Sequence, residues 1–207
     1  MASFIPALER ECDVIEHIVT GKDIATARNE IAEKFLSTDA DYLLFLDDDH
    51  AGHTVEMFDA LLDPVLINNA YICAMKCYKR AFPFDTNLLI FSGVNEKAMG
   101  IAEGKGEFMA IDQPSSYMYV DVVGFGMTLI QRMALIKVGK PYFNTVNNCN
   151  EDNDFCKRLL KFGVQPVACS EYTLEHGGIP VADIPRLKKE GWAQLKKQHP
   201  DLKVLVS

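Results

Sequence analysis

Apolar positions along the chain switch repeatedly between helical and strand spacing. Phe4 and Leu8 stand four apart within residues 3–11, with Cys12 continuing the series, which predicts a short amphipathic helix. Val14-Ile15-Glu16-His17-Ile18-Val19 is rich in β-branched residues and reads as a strand, ended by Thr20-Gly21. Asp23 then stands at a capping position, ahead of Ile24, Ala27, Ile31 and Phe35 at helical spacing through about Leu36. The polar turn from Ser37 to Ala40 leads into Tyr42-Leu43-Leu44-Phe45-Leu46. Large apolar residues without alternation suit a strand buried on both faces of a parallel sheet. Strand, helix, strand in this order predicts a right-handed parallel crossover.

The second half continues the alternation. Thr54 to Leu62 reads as a helix with Val55, Phe58, Leu61 and Leu62 on its apolar side, and Ala70 to Met75 as a strand. That strand leads into Lys76, Lys79 and Arg80, either a solvated basic rim or a contact for a diphosphate. Leu88 to Phe91 suggests a strand, and Glu103-Gly104-Lys105-Gly106-Glu107 a turn between two short strands. Tyr117 to Val123 is the next strand candidate, followed by Gly124-Phe125-Gly126 and the apolar Met127 to Ile130. Asn150 begins a helix with Glu151 and Asp152 in its first turn, Phe155, Leu159 and Leu160 on its buried side, and Gly163 past its end. Val164 to Cys169 forms a final strand, in which Pro166 favours an edge or irregular place. A helix near residues 185–199 closes the chain. The pattern predicts one α/β domain over residues 1–207, a mostly parallel central sheet flanked by helices.

Composition narrows the function classes. The net charge of -8, from 29 acidic and 21 basic side chains, argues against a broad basic surface for nucleic acid or anionic membrane. No apolar run approaches the length of a membrane span, and Met1 to Pro6 carries no basic segment ahead of an apolar core, so a cytoplasmic protein is expected. The six cysteines form no CxxC pair and are expected to be reduced thiols.

The candidate chemistry begins where the apolar strand runs into Asp47-Asp48-Asp49-His50. On extended backbone Asp47 and Asp49 point one way and Asp48 the other. Converging carboxylates repel unless a cation or proton lies between them, which predicts a divalent metal at a strand's carboxyl end, with a solvated acidic turn as the plain alternative. Carboxylate oxygens suit Mg²⁺ or Mn²⁺; His176, placed on a loop before Gly177 and Gly178, would favour Mn²⁺. Glu151 and Asp152 are either ordinary helix-starting acids or, facing the sheet mouth, groups able to take a proton from an attacking hydroxyl.

Taken in order, an Arg28-Asn29 helix, a strand ending in Asp-Asp-Asp, Gly124-Phe125-Gly126, Glu151-Asp152 with Phe155-Cys156 after it, and His176-Gly177 resemble a known group. The pattern is similar to the Rossmann-like GT-A fold of nucleotide-sugar glycosyltransferases, especially small family-two-like members of phage and bacterial origin, over about residues 3–178. The resemblance implies that Asp47-Asp48-Asp49 is a DXD motif, with Asp47 and Asp48 on the donor side and Asp47, Asp49 and His176 around the metal. It implies Asp152 as catalytic base with Glu151 beside the acceptor, Arg28 near the nucleotide, and Gly124 and Gly126 in a loop lining the pocket. The implied reaction is inverting, Mn²⁺- or Mg²⁺-dependent transfer of a sugar from a nucleoside-diphosphate sugar to an unknown acceptor. Family members open with a strand and a Pro-containing loop that holds the base; here the first recognised element matches the helix after that strand. Two other readings are a catalytically silent nucleotide- or sugar-binding domain and a phosphatase of the haloacid dehalogenase type. For the latter, Ala51 stands where Thr or Val is expected.

Overall fold

The computed structural model describes residues 4–10, 12–78, 89–92, 107–110, 116–145, 150–179 and 181–198. Lys79, Arg80, Leu88, the turn at 103–106, Cys149 and His199 lie outside them. Helices begin where their caps predict. The Asp23 carboxylate accepts from the Thr26 amide at 3.0 Å to start α2 (Ile24–Leu36), and Thr54 accepts from the Met57 amide to start α3 (Val55–Ile67). The short α1 (Phe4–Leu8) buries Phe4 and Leu8. The inward face of α2 differs from the expected one: Arg28, Ala32 and Phe35 are buried, whereas Ile24 is exposed. These positions share one helical stripe, and the stripe is turned by Arg28, which meets two carboxylates in the interior.

Around the sheet, β1 (Tyr42–Leu46) pairs antiparallel with β7 (Met127–Gln131). β7 pairs antiparallel with β3 (Ile72–Cys77), and β3 pairs parallel with β8 (Val167–His176). Two short strands, β2 (His50–Ala51) and β6 (Tyr117–Tyr119), run antiparallel to opposite ends of β8. A separate antiparallel pair joins β4 (Leu89–Ser92) to β5 (Glu107–Ala110). Among the described residues the other α-helices are α4 (Arg132–Val138), α5 (Glu151–Leu160) and α6 (Ile184–Gln198). The expected open α/β sheet flanked by helices is present, compatible with a Rossmann-like fold, but its pairing is mixed rather than mostly parallel. β1, β3 and β8 share one direction, and the antiparallel β7 is inserted between β1 and β3.

Three strand expectations change, and the first is a boundary: the strand expected over Tyr117–Val123 ends at Tyr119, with Val120, Val122 and Val123 buried outside it. Residues 14–19 form no strand: the segment joins no ladder among the described residues, and Ile15 and Ile18 are 60% and 72% exposed. β-Propensity describes fit to a half-buried pleated surface and forms no ladder without a partner. The crossover predicted from that segment is therefore not observed. The last strand begins after Pro166, which lacks an amide for the ladder, and continues to His176 rather than stopping at Cys169. A register shift opposite Met75 and Lys76 absorbs the extra residues.

The sheet has apolar packing on both faces, which accounts for the unalternating strands. Ile72 and Ala74 face one cluster with Leu43, Phe45, Phe143 and Phe155. Cys73 and Met75 face the other, with Leu61, Val65 and Met127. Beneath the carboxyl end of β1, Phe143 stacks on Phe155 at 4.9 Å between ring centres and meets Phe45 edge-on at 5.5 Å. No helix among the described residues is long and apolar enough to cross a membrane. Phe155→Ala is expected to lower unfolding free energy by about 3–5 kcal/mol, the usual cost of emptying a buried aromatic site, read by urea denaturation.

Candidate metal and catalytic site

Three strands deliver the site from their carboxyl ends: β1 runs into Asp47, β3 ends at Cys77 before Tyr78, and β8 ends at His176. This is where open α/β sheets collect ligand-binding groups. Asp47 and Asp49 do come together, but a turn rather than strand alternation brings them. The His50 amide donates to the Asp47 carbonyl at 3.3 Å, closing a turn that leaves Asp48 exposed at its tip. The oxygen atoms of Asp47 and Asp49 and a ring nitrogen of His50 lie within 4.8 Å of one another.

His176 lies at a strand end rather than on a loop, and its register partner across β2 and β8 is His50. Their rings stack at 4.2 Å with 12° between planes. His176 Nδ1 lies 2.8 Å from the Tyr78 carbonyl oxygen, a position for an N–H donor. That places a ring proton on Nδ1 and turns Nε2 to Asp49 Oδ2, 3.3 Å away. Two acceptors facing at this distance require a proton or a cation between them. Metal-binding histidines commonly have this second nitrogen fixed by a carbonyl. The donor set, one imidazole with hard carboxylates, fits Mn²⁺, and Mg²⁺ through the oxygens.

Arg28 organises the opposite wall. Its Nη2 donates to both carboxylate oxygens of Asp47 at 3.0 Å, and its Nη1 to Glu151 Oε1 at 2.5 Å. The guanidinium also lies over the Phe125 ring at 5.0 Å and the Phe45 ring at 5.6 Å. Glu151 is buried in this ion pair and serves to hold Arg28. Asp152, next to it in the first turn of α5, has no such salt bridge. Burial first, then the Glu151 charge, push its carboxyl up to about 6, the range suited to a general base near neutrality.

Gly126 has a steric reason to be glycine: an added Cβ would sit 2.5 Å from His50 Nε2. The imidazole packs on that bare backbone. Gly124 offers its carbonyl to the Thr128 hydroxyl at 3.2 Å, beside the buried Phe125 that carries Arg28. Lys76 is no solvated rim: it is 9% exposed, with its ammonium 5.6 Å from the Tyr78 ring centre.

His50 is a site residue that sequence reasoning missed, and Cys77 one it sets aside as a zinc ligand because the sequence indicates no partner beside it. His50 Nε2 is 3.4 Å from Cys77 Sγ, and His50 Nδ1 is 2.9 Å from Asp49 Oδ1. Asp49, His50 and Cys77 thus follow the order of a nucleophilic triad, yet the chemistry does not. The Nδ1 contact lacks hydrogen-bond alignment. Burial, then the carboxylates of Asp47, Asp49 and Asp152, push the Cys77 thiol up to about 12.

No protein-family profile and no curated protein matches the sequence. Among solved structures, the chain is similar to the crystal structure of A197 from STIV, at 20% identity and a TM-score of 0.51. That match covers 78% of this chain and 72% of the other. It is also similar to the crystal structure of a mycobacterial protein, at 14% identity and a TM-score of 0.43, over 96% of this chain and 61% of that one. The first likeness shows a shared fold; the second spans less than two thirds of its counterpart and carries no argument.

The raised Asp152 carboxyl has a stability consequence. Its value rises from 3.8 to about 6 on folding, so the cost of ionising it in place is absent below about pH 4 and complete above about pH 6. Asp152→Asn is expected to raise stability at pH 7.5 by on the order of 1–2 kcal/mol and to change it little at pH 4, compared by urea unfolding at both pH values.

Proposed function

We propose that the chain is a metal-dependent glycosyltransferase that moves a sugar from a nucleoside-diphosphate donor to an acceptor hydroxyl. The observation that carries the reading is His176 Nε2 held 3.3 Å from Asp49 Oδ2 at the sheet mouth, with Nδ1 fixed by the Tyr78 carbonyl. On the opposite wall stands Asp152, a carboxyl raised into the range of a working base. Asp49 and His176, with Asp47, would hold Mn²⁺ or Mg²⁺, which supplies Lewis-acid stabilisation of charge on a departing diphosphate.

The chain's own residues do the rest. Arg28 fixes Asp47 and Glu151 and thereby sets the distance between the two walls. Asp152 takes the proton of the attacking hydroxyl at its carboxylate oxygen. Asp48, exposed on the turn, and Gly124, beside Phe125, would serve as donor-side contacts. A phosphatase in which Asp47 is the nucleophile fits less well, because both oxygens of that carboxylate are bound by Arg28.

The test is donor hydrolysis and transfer over a panel of nucleoside-diphosphate sugars with Mn²⁺. Asp152→Asn is expected to lower turnover by about 10²-fold or more while leaving donor binding intact, and to remove an acid limb near pH 6. Asp49→Ala is expected to abolish the Mn²⁺ requirement together with activity. Wild-type rates in both variants would overturn the assignment, and metal-dependent nucleotide binding without turnover would point to a silent binding domain.

A further inference from the structure

The metal site contains a sulfur that the transferase reading does not use. Cys77 Sγ and one ring nitrogen each of His50 and His176 belong to one group whose candidate ligand atoms lie within 4.8 Å of one another. Around a tetrahedral zinc with bonds of about 2.0–2.3 Å, neighbouring ligand atoms sit roughly 3.3–3.6 Å apart. One edge of such a tetrahedron is already present, His50 Nε2 to Cys77 Sγ at 3.4 Å. The ligands also arrive on ordered elements. Cys77 is the last residue of β3, His50 and His176 are paired across β2 and β8, and Gly126 leaves room for the His50 ring. The His50 side chain is 4% exposed, and its Nδ1 makes no aligned hydrogen bond.

We propose that His50, Cys77 and His176 form a three-donor, thiolate-containing site, its fourth position open to water, that takes Zn²⁺ in preference to Mn²⁺. The inference rests on reading this place as a metal centre and adds to it the class of cation selected. Soft sulfur and borderline imidazole favour zinc, whereas manganese and magnesium favour the oxygens of Asp47 and Asp49. On binding, the Cys77 S–H proton leaves to solvent and the sulfur lone pair forms the metal bond. Because His176 belongs to both donor sets, Zn²⁺ held on Cys77 withdraws that ligand from Mn²⁺.

Cobalt is the probe, since Co²⁺ takes zinc geometry and reports its ligands. Chelator-treated protein titrated with Co²⁺ is expected to show a thiolate-to-metal charge-transfer band in the near ultraviolet and intense visible bands of a tetrahedral centre, both removed by Zn²⁺ at stoichiometric addition. Cys77→Ser is expected to lose the near-ultraviolet band and to bind Zn²⁺ more than about tenfold more weakly, given that even outer partners of metal ligands are worth about 10–100-fold. Cys77→Ala, an apolar replacement for the buried thiol, repeats the measurement where the serine fails to fold. Calorimetry with Mn²⁺ runs beside it. Mn²⁺ binding with a weak, octahedral cobalt spectrum overturns the thiolate site and leaves the metal centre standing, and binding of no metal overturns both. An unchanged band in both Cys77 variants assigns the sulfur elsewhere and overturns the proposal.

Discussion

Arg28 is a cation with 4% exposure, and three segments distant in sequence meet on it: α2 that carries it, the end of β1 through Asp47, and the start of α5 through Glu151. Removing a guanidinium from water costs several kcal/mol, and here the cost is offset by two carboxylates and two aromatic faces. Each partner depends on the others. Without Arg28, Glu151 would be a buried carboxylate with no counter-charge, and Asp47 would repel Asp49 across the turn. The clamp also divides the acids by role. Asp47 and Glu151 share the charge of Arg28, while Asp49 faces an imidazole nitrogen and Asp152 has the attraction of Arg28 and the Asn153 amide set against burial and the repulsion of Glu151.

The fold was legible in sequence wherever its cause was local. Asp23 and Thr54 announce their helices through a cap followed by helical spacing, and the five apolar residues before Asp47 announce a strand covered on both faces. Pairing partners are not local, and there the sequence misleads. Residues 14–19 have the composition of a strand and no ladder, and nothing near Met127 to Gln131 says that it runs antiparallel between β1 and β3. His176 was readable as a ligand by type but not as the end of a long strand, because Pro166 marks that strand's beginning rather than an irregularity within it.

The site was legible to the same degree. Carboxylates after an apolar strand, an arginine on an otherwise apolar helix face and a late histidine stand out by chemistry alone. Cys77 does not, because a sulfur closing an apolar strand reads as core packing. His50 was visible beside the triplet, yet its use depends on a register with His176 that spans more than half the chain. Asp47 and Asp49 converge as expected through a different device, a turn closed by the His50 amide.

The inserted β7 explains how so much charge is gathered without side-chain crowding. Three strands bring carboxyl ends to the mouth, and β7 begins there just after Gly126, where the absent side chain becomes the seat of His50. The wall so built carries the carboxylates of Asp47, Asp49, Glu151 and Asp152 against the single guanidinium of Arg28, with His50 held below its usual range by burial and then by His176. A nucleoside diphosphate shares the sign of this excess charge and is repelled by it. Under the proposed chemistry the cation must therefore be in place before, or arrive with, the donor. On that proposal, the same excess that draws the cation in would hold the donor off the metal-free site.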